Sequence, residues 1–210
     1  IASDPDADRL AIVCRDAEGK WVIINGNQTC MMFSYYNIKA LKRLGKMRPE
    51  NYLVKTIVTS EVIRRIADKE GVTLTDEYTG FKWIANRTRM WEGTHKYIGG
   101  GEESFGWLGY DAVRDKCAPS AICLICEIAA YAKDQGISLY DYLLNIYKEF
   151  GFQRETTINV VRPGKAGAEE IQQMMANYRQ NPPKEIAGEK VIRIKDYKSL
   201  VEKDFSGFRF

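Results

Sequence analysis

At 210 residues, 45% hydrophobic and 28% charged, the chain has the make-up of a soluble globular protein with room for one large domain or two small ones. Its net charge of +3, with Lys and Arg scattered rather than clustered, lacks the dense basic patch of a nucleic-acid binder. No run of roughly 18 apolar residues spans a membrane, no signal peptide is read at the amino end, and an odd set of five cysteines argues for a reducing cytoplasm over a disulfide framework.

The chain opens on an acidic loop, Asp4-Pro5-Asp6-Ala7-Asp8-Arg9, with only three residues ahead of it. So short a lead-in is barely half a strand, and the chain reads as a piece of something longer. Leu10–Cys14 and Trp21–Ile24 read as strands around a turn at 16–20, and Asn25-Gly26-Asn27 breaks the pattern. A helix is predicted from about Gln28 to Leu44, stopped by Gly45. Leu53–Thr59 is a strand, Ser60 caps a helix that ends at Gly71, and Val72–Thr75 is the next strand. A helix near Gly80 carries Trp83 and Ile84, and Tyr97-Ile98 runs into three glycines. This alternation predicts an α/β layer with parallel pairing.

Further along, a helix from about Pro119 to Gln135 is apolar on most sides and is expected to be central. Cys123 and Cys126 lie within it as a C-x-x-C, and they read as buried packing residues. Zinc would need a second ligand pair, and His95 is the only histidine. Ser138 and Asp141 form a capping box for a helix through Phe150, which Gly151 ends. Beyond it come a strand at Thr156–Val161, an amphipathic helix from Gly167 to Arg179, a Pro182-Pro183 stop and a strand at Val191–Ile194. Two strands and a helix are too little for a core of their own.

Three stretches carry candidate chemistry. Asp4, Asp6 and Asp8, at alternate positions in an extended loop, project the same way and converge on one point, which is costly unless a cation sits there. Hard carboxylate oxygens suit Mg²⁺ or Ca²⁺, although a solvated acidic turn would have the same spacing. An EF-hand would need Gly and Glu where Arg9 and Arg15 stand, and a haloacid-dehalogenase nucleophile would need Asp-x-Asp-Gly-Thr. Arg9 on the rim suits a phosphoryl group, because guanidinium matches phosphate oxygens in a fork. The second stretch, Gly99-Gly100-Gly101-Glu102-Glu103-Ser104-Phe105-Gly106, follows a strand. It offers acceptors and a donor for sugar hydroxyls, or is a plain glycine turn. The third, Arg114-Asp115-Lys116, is either a helix start or a lysine poised for proton transfer. Thr79-Gly80-Phe81-Lys82-Trp83 adds a glycine turn beside aromatic rings that core packing alone would explain.

Taken in order, Asp-Pro-Asp-Ala-Asp-Arg, Thr-Gly-Phe-Lys-Trp, Gly-Glu-Glu-Ser-Phe-Gly and Arg-Asp-Lys strongly resemble the α-D-phosphohexomutases, the phosphoglucomutase/phosphomannomutase family. The resemblance covers essentially the whole chain. It implies an α/β fold, a three-layer mixed sheet with helices on both faces, for domain 3, plus partial neighbouring domains out of four around a cleft: residues 1–25 the end of domain 2, 26–150 the sugar-binding domain 3, and 151–210 an incomplete start of domain 4. By position it makes Asp4, Asp6 and Asp8 the Mg²⁺ ligands, Glu102 and Ser104 the sugar-hydroxyl ligands, and Lys116 a proton-transfer residue, with Arg114 nearby as a further substrate-binding residue. Gly80 and Phe81 then belong to a loop that accepts the reoriented sugar, and Arg9 lies beside the metal.

The implied reaction moves a phosphoryl group between C1 and C6 of a hexose through a bisphosphate intermediate and an enzyme phosphoserine. A glucose 1,6-bisphosphate-type primer, a sugar phosphate substrate and the rest of its own chain are the implied partners. The family's Thr-Ala-Ser-His-Asn serine loop is absent from this sequence, so the fragment is expected to be inactive alone. Three residues depart from common family patterns: Cys117 stands where many relatives have Asp, Pro119 where an apolar residue is expected, and Gly106 where one bacterial branch has His. A non-catalytic Ca²⁺- or sugar-binding module is the alternative.

Overall fold

A computed structural model describes residues 1–155 and 160–205 of the chain. They fall into two compact units, 1–155 and 156–210. In the first, β1 (Ala2–Ser3), β2 (Leu10–Arg15) and β3 (Trp21–Ile24) form an antiparallel sheet in that order. Asp16 builds the β2–β3 turn, its carboxylate accepting the N–H groups of Glu18 at 3.0 Å and Lys20 at 2.8 Å.

The expected break at 25–27 is instead a helix cap. Asn25 accepts the Gln28 N–H at 2.9 Å, Gln28 returns a 2.9 Å bond to the Asn25 N–H, and α1 (Gly26–Arg43) starts two residues before Gln28. The next strand, β4 (Asn51–Thr56), is shorter than expected because the Thr59 N–H turns back to the Thr56 carbonyl at 3.0 Å. Ser60 does accept the Val62 N–H at 3.3 Å, but the residue at the cap position of α2 (Val62–Glu70) is Glu61. Gly71, at φ 70°, ends that helix as expected.

Then follow β5 (Thr73–Glu77), α3 (Phe81–Met90), β6 (Lys96–Gly101) and β7 (Trp107–Leu108). The sheet order is β5-β4-β6-β7, with β4 parallel to both β5 and β6, and β7 antiparallel at the edge. Every residue of β4 is buried, as a central strand between two helical layers requires. Its side chains alternate: Leu53 enters a core with Phe33, Ile63 and Ile98, while Tyr52 and Val54 pack with Phe81, Ile84 and Leu108. The three-layer mixed sheet expected from the sequence is thus the observed architecture.

Two expectations about the helix after β7 are overturned. That helix, α4 (Ala118–Asp134), buries one stripe (Ala118, Ala121, Ile125, Ile128 and Ala132) and leaves Cys123 and Cys126 exposed. Apolar composition alone cannot say which face finds a partner. The central helix is α1, whose buried Met31, Met32, Phe33 and Ile38 lie in the main core. Pro119 fits the first turn of α4, where its missing N–H costs nothing. The Ser138–Asp141 capping box opens α5 (Leu139–Phe150) as expected.

The second unit holds α6 (Gly164–Gln180) and two hairpins, β8 (Glu185–Ile186) with β9 (Glu189–Lys190) and β10 (Arg193–Asp196) with β11 (Val201–Asp204). Among its described residues only Gly167 is buried, in keeping with a stretch too small for its own core. Most of the strand expected at 156–161 lies outside the described residues, and the one expected at 191–194 is shifted to Arg193–Asp196. No helix among the described residues is long and apolar enough to cross a membrane.

Candidate active site

The ends of the parallel strands supply the site, as is usual in open α/β sheets. Immediately after β6, the Glu102 N–H bonds the Gly106 carbonyl at 2.9 Å and closes a short loop, with Phe105 at φ 70°. Two carboxylates fasten this loop to its neighbours. Glu102 accepts the Gly80 N–H at 2.7 Å, which ties it to the turn after β5. Glu103 accepts the hydroxyls of Thr56 and Thr59, each at 3.2 Å, which ties it to the end of β4. Gly80 holds φ 108°, a conformation that favours glycine, and so presents its N–H. Ser104 is half-buried in the same loop, and Phe81 is buried beneath it in the smaller core.

The acidic loop docks on this frame through Leu10 N–H to the Phe105 carbonyl at 3.2 Å and through a bridge between Arg9 and Gly106. The α4 end closes it: Ala118 N–H bonds the Ala7 carbonyl at 3.1 Å, and Cys117 N–H bonds the Trp107 carbonyl at 3.2 Å. Cys117 occupies the α4 cap position without a side-chain cap bond, yet these backbone bonds hold the junction.

The acidic loop is a turn rather than an extended segment. Asp4 accepts the N–H groups of Asp8 at 3.1 Å and Arg9 at 3.0 Å, and Ala7 turns the chain at φ 55°. Asp4, Asp6 and Asp8 each offer a carboxylate oxygen, all within 4.8 Å of one another. The Arg9 N–H bond, helped by further hydrogen bonds and opposed by desolvation, holds the Asp4 carboxyl below its usual range. Asp8 Oδ1 is buried without a hydrogen-bond partner among the described residues, Arg9 Nε standing off at 3.6 Å. A buried carboxylate oxygen without a hydrogen bond, on a residue clustered with two other carboxylates, is what a hard divalent ion would satisfy, so the residues present fit Mg²⁺.

Lys116 completes the cluster: its Nζ lies 2.6 Å from Asp8 Oδ2, with only 13% of its side chain exposed. Burial works against the ammonium, but the Asp8 bond and charge outweigh it and raise the Lys116 pKa. Gly106 makes room for this side chain, since a Cβ there would lie 2.8 Å from Lys116 Cδ. Arg114 goes elsewhere. It pairs with Glu92 at 2.7 Å and lines a cavity of about 580 Å³ with Glu50, Trp91 and His95, where β4 and β6 begin.

Burial raises the Glu102 pKa above its ordinary 4.5, partly offset by the Gly80 N–H bond, with Glu103 adding to the rise. A raised acid stabilises the fold fully below its unfolded pKa, and that contribution fades as pH climbs through the folded value. Relative to Glu102→Gln, the unaltered chain should therefore lose stability as pH rises from 4.5. Paired thermal melts across pH 3.5–7 (about that window) check this, and a difference that is flat with pH would refute it.

Sequence reasoning missed Lys55, which is 1% exposed and pairs with Glu61 at 2.9 Å and Asp76 at 3.0 Å. Its Nζ also bonds the Thr59 carbonyl at 3.1 Å, bracing the turn that holds Glu103. A lysine inside the apolar run Leu53-Val54-Lys55 was the available signal, because a buried charge demands partners.

Comparison with known proteins gives the chain a family. Residues 25–150 match the family model described as phosphoglucomutase/phosphomannomutase, alpha/beta/alpha domain III. A phosphoglucomutase of Staphylococcus aureus (strain MSSA476) is 36% identical over 197 residues, which is 94% of this chain and 35% of the relative. The chain thus spans about a third of the length of the curated relatives it matches. Among solved structures, the phosphoglucomutase parafusin from Paramecium superposes with a TM-score of 0.58 at 19% identity, covering 96% of this chain and 34% of its own. An Aspergillus fumigatus N-acetylphosphoglucosamine mutase in complex with GlcNAc-6P and magnesium gives 0.51 at 13%, covering 68% and 32%. At these identities the two structures establish likeness of fold.

Proposed function

Because the chain belongs to the phosphoglucomutase/phosphomannomutase family, we propose that it forms the metal- and sugar-binding centre of a longer enzyme that interconverts hexose 1-phosphate and hexose 6-phosphate. The observation that carries this reading is the 2.6 Å contact between Lys116 and Asp8, made beside a loop whose Glu102 is bonded to Gly80. A metal-suited carboxylate cluster, a lysine and a sugar-suited loop thereby share one junction.

In this reading Asp4, Asp6 and Asp8 hold Mg²⁺, which when bound offsets charge on the phosphoryl group in transfer. Arg9 orients phosphoryl oxygens through its guanidinium fork. Glu102 and Ser104 bind sugar hydroxyls, and Gly80 and Phe81 shape the wall against which the turned-around sugar rests. Lys116 moves a proton at the reacting hydroxyl. Arg114 has a different part, because its pairing with Glu92 favours holding the loop that carries Lys116. The enzyme phosphoserine, the bisphosphate intermediate and its primer belong to the same proposal. So does the division into the end of domain 2 (1–25), domain 3 (26–150) and the start of domain 4 (151–210).

Residues 1–210 alone should give no mutase turnover, since no residue here is assigned to carry the phosphoryl group. A coupled assay with glucose 1-phosphate, Mg²⁺ and glucose 1,6-bisphosphate tests this. Turnover by the isolated segment would overturn the domain assignment.

A further inference from the structure

We propose that Lys116 is the resident counter-cation of the acidic loop and competes with a divalent ion for Asp8, so that ion binding releases the Lys116 ammonium into the cleft. The inference rests on reading Asp4, Asp6 and Asp8 as a metal site, and it adds a control on that site.

Asp8 has two different oxygens. Oδ2 is taken by Lys116 at 2.6 Å, whereas Oδ1 is buried and accepts no hydrogen bond among the described residues, with Arg9 Nε 3.6 Å away. An ion drawn to the three carboxylates engages Asp8 through Oδ1, which puts two cations on one carboxylate. Cations at such separations repel strongly where water is scarce, and Lys116 is 13% exposed. The monovalent partner on a flexible stem is the one that yields.

The structure also holds a place for it to go. Asp115 Oδ1 lies 3.8 Å from Lys116 Nζ on a side chain that is 67% exposed. The other charges facing the ammonium are Arg9, which repels it, and Glu102, which attracts it. A short swing toward Asp115 therefore takes Lys116 off Asp8. Its stem has clearance because residue 106 is glycine, where a Cβ would lie 2.8 Å from Lys116 Cδ.

Linkage makes the competition measurable from either side, because whatever Lys116 subtracts from ion affinity the ion subtracts from the lysine's hold on Asp8. Binding of Mn²⁺, a hard divalent probe, to the 210-residue chain can be followed by the paramagnetic resonance of the free ion. Lys116→Met should bind about tenfold more tightly than the unaltered chain, within the usual range of coupling between sites. Lys116→Arg, which keeps the charge, should return affinity toward the original value. Asp6→Ala should abolish binding in every background.

A second readout needs no variant. Acetylation of Lys116 by acetic anhydride, read by mass spectrometry against the other lysines, should quicken several-fold at saturating Mn²⁺. If Lys116→Met binds no more tightly while binding stays Asp6-dependent, or if Lys116 acetylation ignores the ion, the competition is refuted and the metal reading survives. If no variant shows Asp6-dependent binding, the metal reading fails and takes the competition with it.

Discussion

Gly26→Ala is expected to destabilise the chain by about 3 kcal/mol, the upper end of the usual overpacking cost. The direction is opposite to the ordinary one, since alanine in a helix normally gains about 0.5–1 kcal/mol over glycine. The reason is local: a Cβ at Gly26 would sit 1.9 Å from the Glu103 carbonyl oxygen and 2.7 Å from the Phe105 nitrogen. Both neighbours are backbone atoms, so neither can swing aside. Relief requires α1 to back away from the 102–106 loop, and that loop is pinned by Glu102 to Gly80 and by Glu103 to Thr56 and Thr59. Urea denaturation at neutral pH measures the loss. A cost below about 1 kcal/mol would mean that the helix and loop are not locked together as described.

In the full-length protein, Lys116→Ala should lower kcat by about 10²–10⁴-fold, the usual share of a positioned general acid or base, with a much smaller change in KM. Lys116→Arg should recover little of that loss, because guanidinium keeps the charge but does not release a proton in this range. A role confined to balancing Asp8 would be rescued by arginine, so the arginine variant separates the two readings. Steady-state kinetics on the three proteins decides the matter, and a kcat within about threefold of the original for Lys116→Ala would remove Lys116 from the chemistry.

Much of this architecture was legible because its signals are local. Gly71, Gly136 and Gly151 mark helix ends by positive φ, and the Ser138–Asp141 box is written in adjacent residues. Parallel pairing followed from strand and helix alternation. What escaped was set by tertiary partners. The buried stripe of α4 depends on where the core lies, and its apolar sequence concealed the exposure of Cys123 and Cys126. Asn25 read as a breaker because asparagine serves turns and caps alike.

The candidate site divides the same way. The carboxylates of the acidic loop are consecutive enough for their convergence to be expected, but the turn that achieves it, with Ala7 at φ 55°, is not. That Lys116 meets Asp8 could not be read from positions 108 residues apart, roughly half the chain. Nor could spacing send Arg114 to Glu92, although it is a neighbour of Lys116 in sequence. Lys55 was visible as a charge in an apolar strand, but its partners Glu61 and Asp76 come from two other elements.

The most direct measurement is phosphorus NMR of the full-length protein with glucose 1-phosphate, Mg²⁺ and a catalytic amount of glucose 1,6-bisphosphate, run beside its Asp6→Ala variant. Steady conversion to glucose 6-phosphate, or the same conversion of mannose 1-phosphate, is expected for a phosphohexomutase, with its loss in the variant. A folded full-length protein that converts neither sugar phosphate, or an Asp6→Ala variant that converts them at the original rate, would contradict it.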